Sequence, residues 1–105
     1  MDYVKLKETL IKVREAAIES AKGEDGGTAN LDTITVELPH ARETKVEQIA
    51  SEAGLHASKT NWIGVRYFIF PPSCGQGNAR VRATEAMKRV LNEAGYSTLM
   101  YCRMD

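Results

Sequence analysis

Long apolar runs are missing from this chain. No stretch approaches the roughly 20 consecutive apolar residues that a membrane-crossing helix needs, so no membrane partner is expected. The opening segment, MDYVKLKETLIKVREAA, interleaves charged and apolar side chains. It lacks the continuous apolar stretch of a secretory leader, and the expected location is the cytoplasm. Cysteine is scarce too, with only Cys74 and Cys102. A secreted disulfide scaffold of this size would carry more, and a zinc site would show paired Cys/His spacing. His40 and His56 stand alone, so no metal and no cofactor is expected. Charge of one sign is also absent: 14 basic and 14 acidic residues leave a net charge of zero. Long-range steering towards nucleic acid is therefore weak for the whole molecule.

What remains is globular. Of 105 residues, 43% are hydrophobic and 27% charged, which suits one domain with one core. The charges divide unevenly, with a net of −4 over residues 1–55 and +4 over residues 56–105. A local basic surface in the second half is thus allowed.

The organisation reads as an N-terminal helix over 1–22, a glycine-rich loop over 23–31 and an α+β core over 32–103. Val4, Leu10, Ile11, Ala17, Ile18 and Ala21 recur at helical spacing and are read as the buried stripe of the first helix. Gly23 ends it as a left-handed cap. Ile34, Val36 and Leu38 alternate with polar residues in a half-buried strand that Pro39 stops. Arg42 to Ala53 forms a second helix, with Val46, Ile49, Ala50 and Ala53 inward. Trp62 to Phe70 reads as a strand, and Leu55 to Ser58 as a short strand before it, with Lys59-Thr60-Asn61 as the turn. Pro71 and Pro72 end the pairing. Asn78 is taken as the N-cap of a helix that runs to about Ala94, with Val81, Thr84, Met87, Leu91 and Ala94 inward. Ser97 to Arg103 makes the last strand. Ile34, Val36, Ile49, Val65, Phe68, Met87 and Leu91 are expected to share the core. The sheet is expected to be antiparallel or mixed, with three helices. If the hairpin at 55–70 forms, the order is that of the ferredoxin-like βαββαβ arrangement with an extra N-terminal helix. Without it, a three-stranded α+β sandwich remains.

The segment Phe70-Pro-Pro-Ser-Cys74-Gly-Gln-Gly-Asn-Ala-Arg80 lies between a predicted strand and a predicted helix. Such a loop can aim backbone N–H groups at an anion, aided by the helix N-terminus. Arg80 and Arg82 then sit in the first helical turn, where a cation is disfavoured by ~0.3–1 kcal/mol. That placement implies an acidic partner, inside the protein or outside it. The candidate binding set is Ser73, Gly75, Gln76, Gly77, Asn78, Arg80, Arg82, Lys88 and Arg89, with Arg66 extending the surface from the sheet. These bases fit a phosphate or nucleotide as well as an acidic protein surface.

Cys74 and Arg80 also match the Cys-x5-Arg spacing of cysteine-dependent phosphatases, in which a low-pKa thiolate attacks and the arginine binds phosphoryl oxygens. Val81 stands where those enzymes carry Ser or Thr, and no loop supplies a general acid. No catalytic residue is assigned. Asp25 and Asp32 are too far apart for a calcium loop. Trp62, Tyr67, Phe68 and Phe70 could line a base-stacking sheet, but the usual glycine–aromatic core of such RNA-binding sheets is missing, and they are read as core.

Taken in order, Asp25-Gly-Gly-Thr28, Pro71-Pro72, Gly75-Gln-Gly-Asn78, Arg80, Glu85-Ala-Met87, Ala94-Gly-Tyr96, Tyr101 and Arg103-Met-Asp105 form a pattern. It resembles small proteins carried by phages and conjugative elements of Firmicutes, over most of residues 25–105. Proteins of that class include inhibitors of CRISPR effector nucleases and other anti-defence factors. The resemblance implies an accessory protein in the host-cell cytoplasm that binds a host protein, such as a CRISPR effector nuclease. It transfers no catalytic residue and leaves the oligomeric state open.

Overall fold

The computed structural model describes residues 1–23, 32–72 and 77–101. The glycine-rich loop read at 23–31 therefore lies outside the described residues beyond Gly23. Three helices and a four-stranded antiparallel sheet form an α+β fold: α1 (Tyr3–Ala21), β1 (Thr33–Val36), α2 (Glu43–Glu52), β2 (His56–Asn61), β3 (Val65–Phe70), α3 (Asn78–Glu93) and β4 (Thr98–Tyr101).

Helix α1 begins where the Asp2 carboxylate accepts the Lys5 N–H at 2.9 Å, satisfying one of the free donors at a helix start. Its buried stripe is Leu6, Thr9, Leu10, Val13 and Ala17. This corrects the stripe read from the sequence, because Val4 is 70% and Ile11 39% exposed. Two apolar stripes run along this helix. The one spaced 6, 10, 13, 17 stays in line with the core at 3.6 residues per turn. Helix α1 packs closely along α3, where Ala79, Ala83 and Ala86 keep the helix surface low, and it also touches α2. The Tyr3 hydroxyl accepts the Arg42 N–H at 2.9 Å, tying α1 to the start of α2. In α2 the buried residues are Val46, Ile49 and Ala50, as the spacing predicted.

The hairpin forms, which removes the three-stranded alternative. Its turn is displaced from the expected place: β2 continues through Asn61, and Trp62–Gly64 makes the bend. Gly64 supplies a φ of +88°, which glycine adopts without penalty, so the bend falls three residues beyond the expected Lys59-Thr60-Asn61 turn. Ile63 is carried into a φ of +51°, a strained conformation for a β-branched residue. The start of α3 shifts in the same way. Gly77, at φ +58°, is the N-cap, and Asn78 is the first helical residue with no side-chain capping bond.

The strand order is β2-β3-β1-β4, with every neighbouring pair antiparallel. Strand β3 lies between β1 and β2, and β1 between β3 and β4. The two strands flanking each crossover helix are thus separated by a strand of the other half. Helix α2 lies over β2, and α3 over β1 and β4. Ile34, Val36, Ala57, Tyr67 and Ile69 face the helices and join Leu6, Leu10, Val13, Val46, Ile49, Met87 and Leu91 in one core. Two residues expected there are elsewhere. Val65, beside the hairpin turn, is 60% exposed, and Phe68 points to the other side of the sheet.

Candidate binding surface on the second sheet face

Side chains alternate along a strand, so the register assigns each residue to a face. Ile34 pairs with Ile69 and Met100 on the helix side. Thr35 pairs with Phe68 and Leu99 on the other side, and His56 pairs there with Phe70. Among the described residues, no helix or strand packs on this second face. It carries a continuous chain of five rings. His56 of β2 stacks on Phe70 at 5.3 Å, and Phe70 meets Phe68 at 5.6 Å. Phe68 lies edge-on to Tyr101 of β4 at 5.3 Å, and Tyr101 edge-on to Trp62 of the turn at 5.0 Å. These offset and edge-to-face contacts suit the charge distribution of aromatic rings. Phe68, Phe70, Trp62 and Tyr101 are half-buried, while His56 and Leu99 are exposed.

The polar residues beneath the rings are already satisfied. The Thr33 hydroxyl donates to the Ile69 carbonyl at 3.0 Å, and Thr35 to the Leu99 carbonyl at 2.8 Å. Neither needs water, so the middle of the face behaves as apolar surface. Among the described residues, one charged residue projects from within the strands on this face. Arg66 is 5% exposed, and its Nη2 lies 2.9 Å from Glu37 Oε1. Its Nε donates to the carbonyl of the strained Ile63 at 3.1 Å. Its Nη1 is buried with no hydrogen-bond partner. Leaving such a donor unmade costs ~1–3 kcal/mol or more.

Arg80 and Arg82, read from the sequence as binding residues, are built into the fold. Arg80 Nε donates to the Asp32 carbonyl at 2.8 Å, anchoring the entry to β1. Arg82 Nε donates to the Ser20 carbonyl at 2.9 Å, and its Nη2 reaches the Ala21 and Lys22 carbonyls at 3.4 Å. Arg82 thus caps the C-terminal end of α1, where the partial negative charge of the helix welcomes a cation. Both arginines thus donate to main-chain carbonyl oxygen inside the protein. Lys88 and Arg89 are exposed on the outer flank of α3. Arg66 faces away from that flank, across the sheet, and does not extend it. Gly77 is buried and Asn78 exposed at the start of α3, while Ser73, Gly75 and Gln76 lie outside the described residues. Cys74 also lies outside them, so the Cys-x5-Arg spacing has no described geometry.

A second feature sits where β1 ends. A cavity of about 310 Å³ is lined by Glu37, Leu38, Pro39, His40, Ala41, Lys59, Val65 and Tyr67. His40 takes a φ of +66°. The buried Tyr67 hydroxyl has no hydrogen-bond partner, and burial first, then Glu43 of α2, pushes its phenol above the ordinary value. Among the described residues no cluster of His, Cys, Asp or Glu could hold a metal ion, and no helix is long and apolar enough to cross a membrane.

The sequence reading missed His56, Leu99 and Tyr101. The available signal was parity: Phe68 and Phe70 stand out of phase with Tyr67 and Ile69, so only one of the two pairs could face the helices. Comparison with known protein families, curated proteins and solved structures gave no match.

Proposed function

We propose that this chain is a non-enzymatic accessory protein of a mobile element, acting in the host-cell cytoplasm by binding a host protein. A CRISPR effector nuclease or another defence factor is the class of target that the sequence resemblance suggests. We read the fold as the ferredoxin-like split βαβ arrangement, with α1 added. The observation that carries the reading is the five-ring chain on the second sheet face. Protein-binding surfaces combine aromatic anchors with few charges at their centre, and this face has that composition.

The alternative, a nucleotide or phosphate binder built on the loop at 73–78, is weakened by the use of Arg80 and Arg82 on main-chain carbonyls. Capture from a bacterial host lysate separates the two. The wild-type chain should retain a protein that the Leu99→Glu variant does not. Release of a small anionic molecule on denaturation, with capture unaffected by Leu99→Glu, would instead establish the alternative.

A further inference from the structure

The turn between β2 and β3 reads Trp62-Ile63-Gly64. Gly64 takes its positive φ freely, but Ile63 carries a branched Cβ and sits at φ +51°, a conformation such residues rarely adopt. A strained residue of this kind persists only where its surroundings hold it.

Arg66 supplies the hold. Its Nε donates to the Ile63 carbonyl at 3.1 Å, and its Nη2 donates to Glu37 Oε1 at 2.9 Å. Glu37 is fixed in turn, because its N–H donates to the Ser97 carbonyl at 2.9 Å at the entry to β4. The guanidinium thus ties the strained carbonyl to the β1–β4 side of the sheet. A forked donor is needed for this. Arginine offers Nε and Nη2 in one plane, whereas lysine has a single nitrogen. As a contribution to stability the arrangement is poor. Arg66 is 5% exposed and its Nη1 has no partner, so a charge is buried with one donor unmade.

The turn decides where Trp62 lies. Tyr101 belongs to β4, and β1 separates that strand from β3. Trp62 meets the Tyr101 ring edge-on at 5.0 Å only by folding back from the turn across the sheet face. A turn relaxed at Ile63 would leave the sheet at another angle and carry Trp62 away from Tyr101. We infer that Arg66 is the positioning residue of the ring face: by clamping Ile63 it sets Trp62 against Tyr101 before any partner arrives. The inference rests on the reading above that this face is the binding surface, and it names the residue that pre-organises it. A surface already held in its bound shape loses less freedom on association.

Trp62 is the only tryptophan, so its spectra read this placement with no partner present. In the wild type it should give a structured near-ultraviolet circular dichroism band and resist quenching by acrylamide. Arg66→Lys keeps the charge and loses the fork. It should lose that band, shift Trp62 emission to the red and quench more readily, while far-ultraviolet circular dichroism stays as in the wild type. Ile63→Asn should restore all of these signals in the Arg66→Lys background. Asparagine accepts a positive φ, and with Gly64 it forms the Asn-Gly pair that tight hairpins favour. If Arg66→Lys alone fails to fold, the double variant should fold and carry the band. Unchanged Trp62 signals in Arg66→Lys would overturn the inference, as would a double variant that does not regain them. Where the wild type captures a host protein, Arg66→Lys should retain less of it and the double variant as much as the wild type. Capture indifferent to Arg66→Lys would also overturn the inference. No capture by the wild type, with the Trp62 signals as expected, would instead sink the reading of the face and leave the clamp standing.

Discussion

The two faces of the sheet share four strands and differ in how their side chains are enclosed. On the helix side, Ile34, Val36 and Ile69 are fully buried and Tyr67 nearly so. Three helices supply the enclosure, and the contacts are aliphatic. On the other side, Thr33 and Thr35 are buried by neighbours on their own face, and the rings that cover them stay half-exposed. The first face accounts for stability, because apolar area removed from water is worth ~25 cal/mol per Å². The second places aromatic surface where a partner can reach it. Stability and binding should therefore respond to different substitutions.

The largest effect is expected on the helix side. Leu91 is fully buried in the core, so Leu91→Ala should cost ~2–5 kcal/mol through lost burial and the cavity left behind. Denaturant melts check this, and a loss below about 0.5 kcal/mol would mean that α3 does not pack as described.

The arginines come next and sharpen the comparison. From the sequence, the acidic partner of Arg80 and Arg82 lies either inside the protein or outside it; were it outside, reversing both charges should leave melting unchanged or slightly higher. Their bonds to the carbonyls of Asp32 and Ser20 give the opposite expectation. Hydrogen bonds from charged groups contribute ~1.5–3 kcal/mol, so Arg82→Ala alone should destabilise the fold by about that amount. Unchanged thermal stability in Arg82→Ala would return Arg82 to the surface.

A smaller effect, of opposite sign, is expected at Tyr67. Its buried hydroxyl has no partner, so Tyr67→Phe should stabilise the fold by ~1 kcal/mol. The phenol is raised above its ordinary value of 10.0 by burial, so the folded state holds this proton more tightly than the unfolded chain. Its contribution is complete below the unfolded value and is lost as pH rises towards the folded one. Melts at alkaline pH should show this decline in the wild type and a weaker one in Tyr67→Phe.

Much of this division was legible in the sequence. The α+β class and the three helices followed from periodicity and from glycine and proline placement, while the hairpin at 55–70 stayed one of two alternatives. The stripe of α1 was not resolved, because Val4, Ile11 and Ile18 repeat as regularly as Leu6, Val13 and Ala17. Sequence spacing does not say which stripe meets α3. The aromatic residues were assigned to the core for a related reason. β3 is apolar on both faces, and only pairing with β1, β2 and β4 shows which rings meet the helices. The roles of Arg80 and Arg82 depend on contacts 48 and 62 residues away along the chain, which no local pattern encodes.

The least change in stability is expected where binding changes most. Leu99 is an exposed residue of the edge strand β4 on the ring face, so Leu99→Glu should alter melting by no more than ~0.5 kcal/mol, as surface substitutions usually do. The measurement that bears most directly on the central claim compares this variant with Lys88→Glu/Arg89→Glu on the outer flank of α3. Each is used as bait for a host protein beside the wild type. If the second sheet face is the working surface, Leu99→Glu loses the partner and the α3 variant keeps it. Capture retained by Leu99→Glu and lost by Lys88→Glu/Arg89→Glu would contradict the account and move the function to the basic flank of α3.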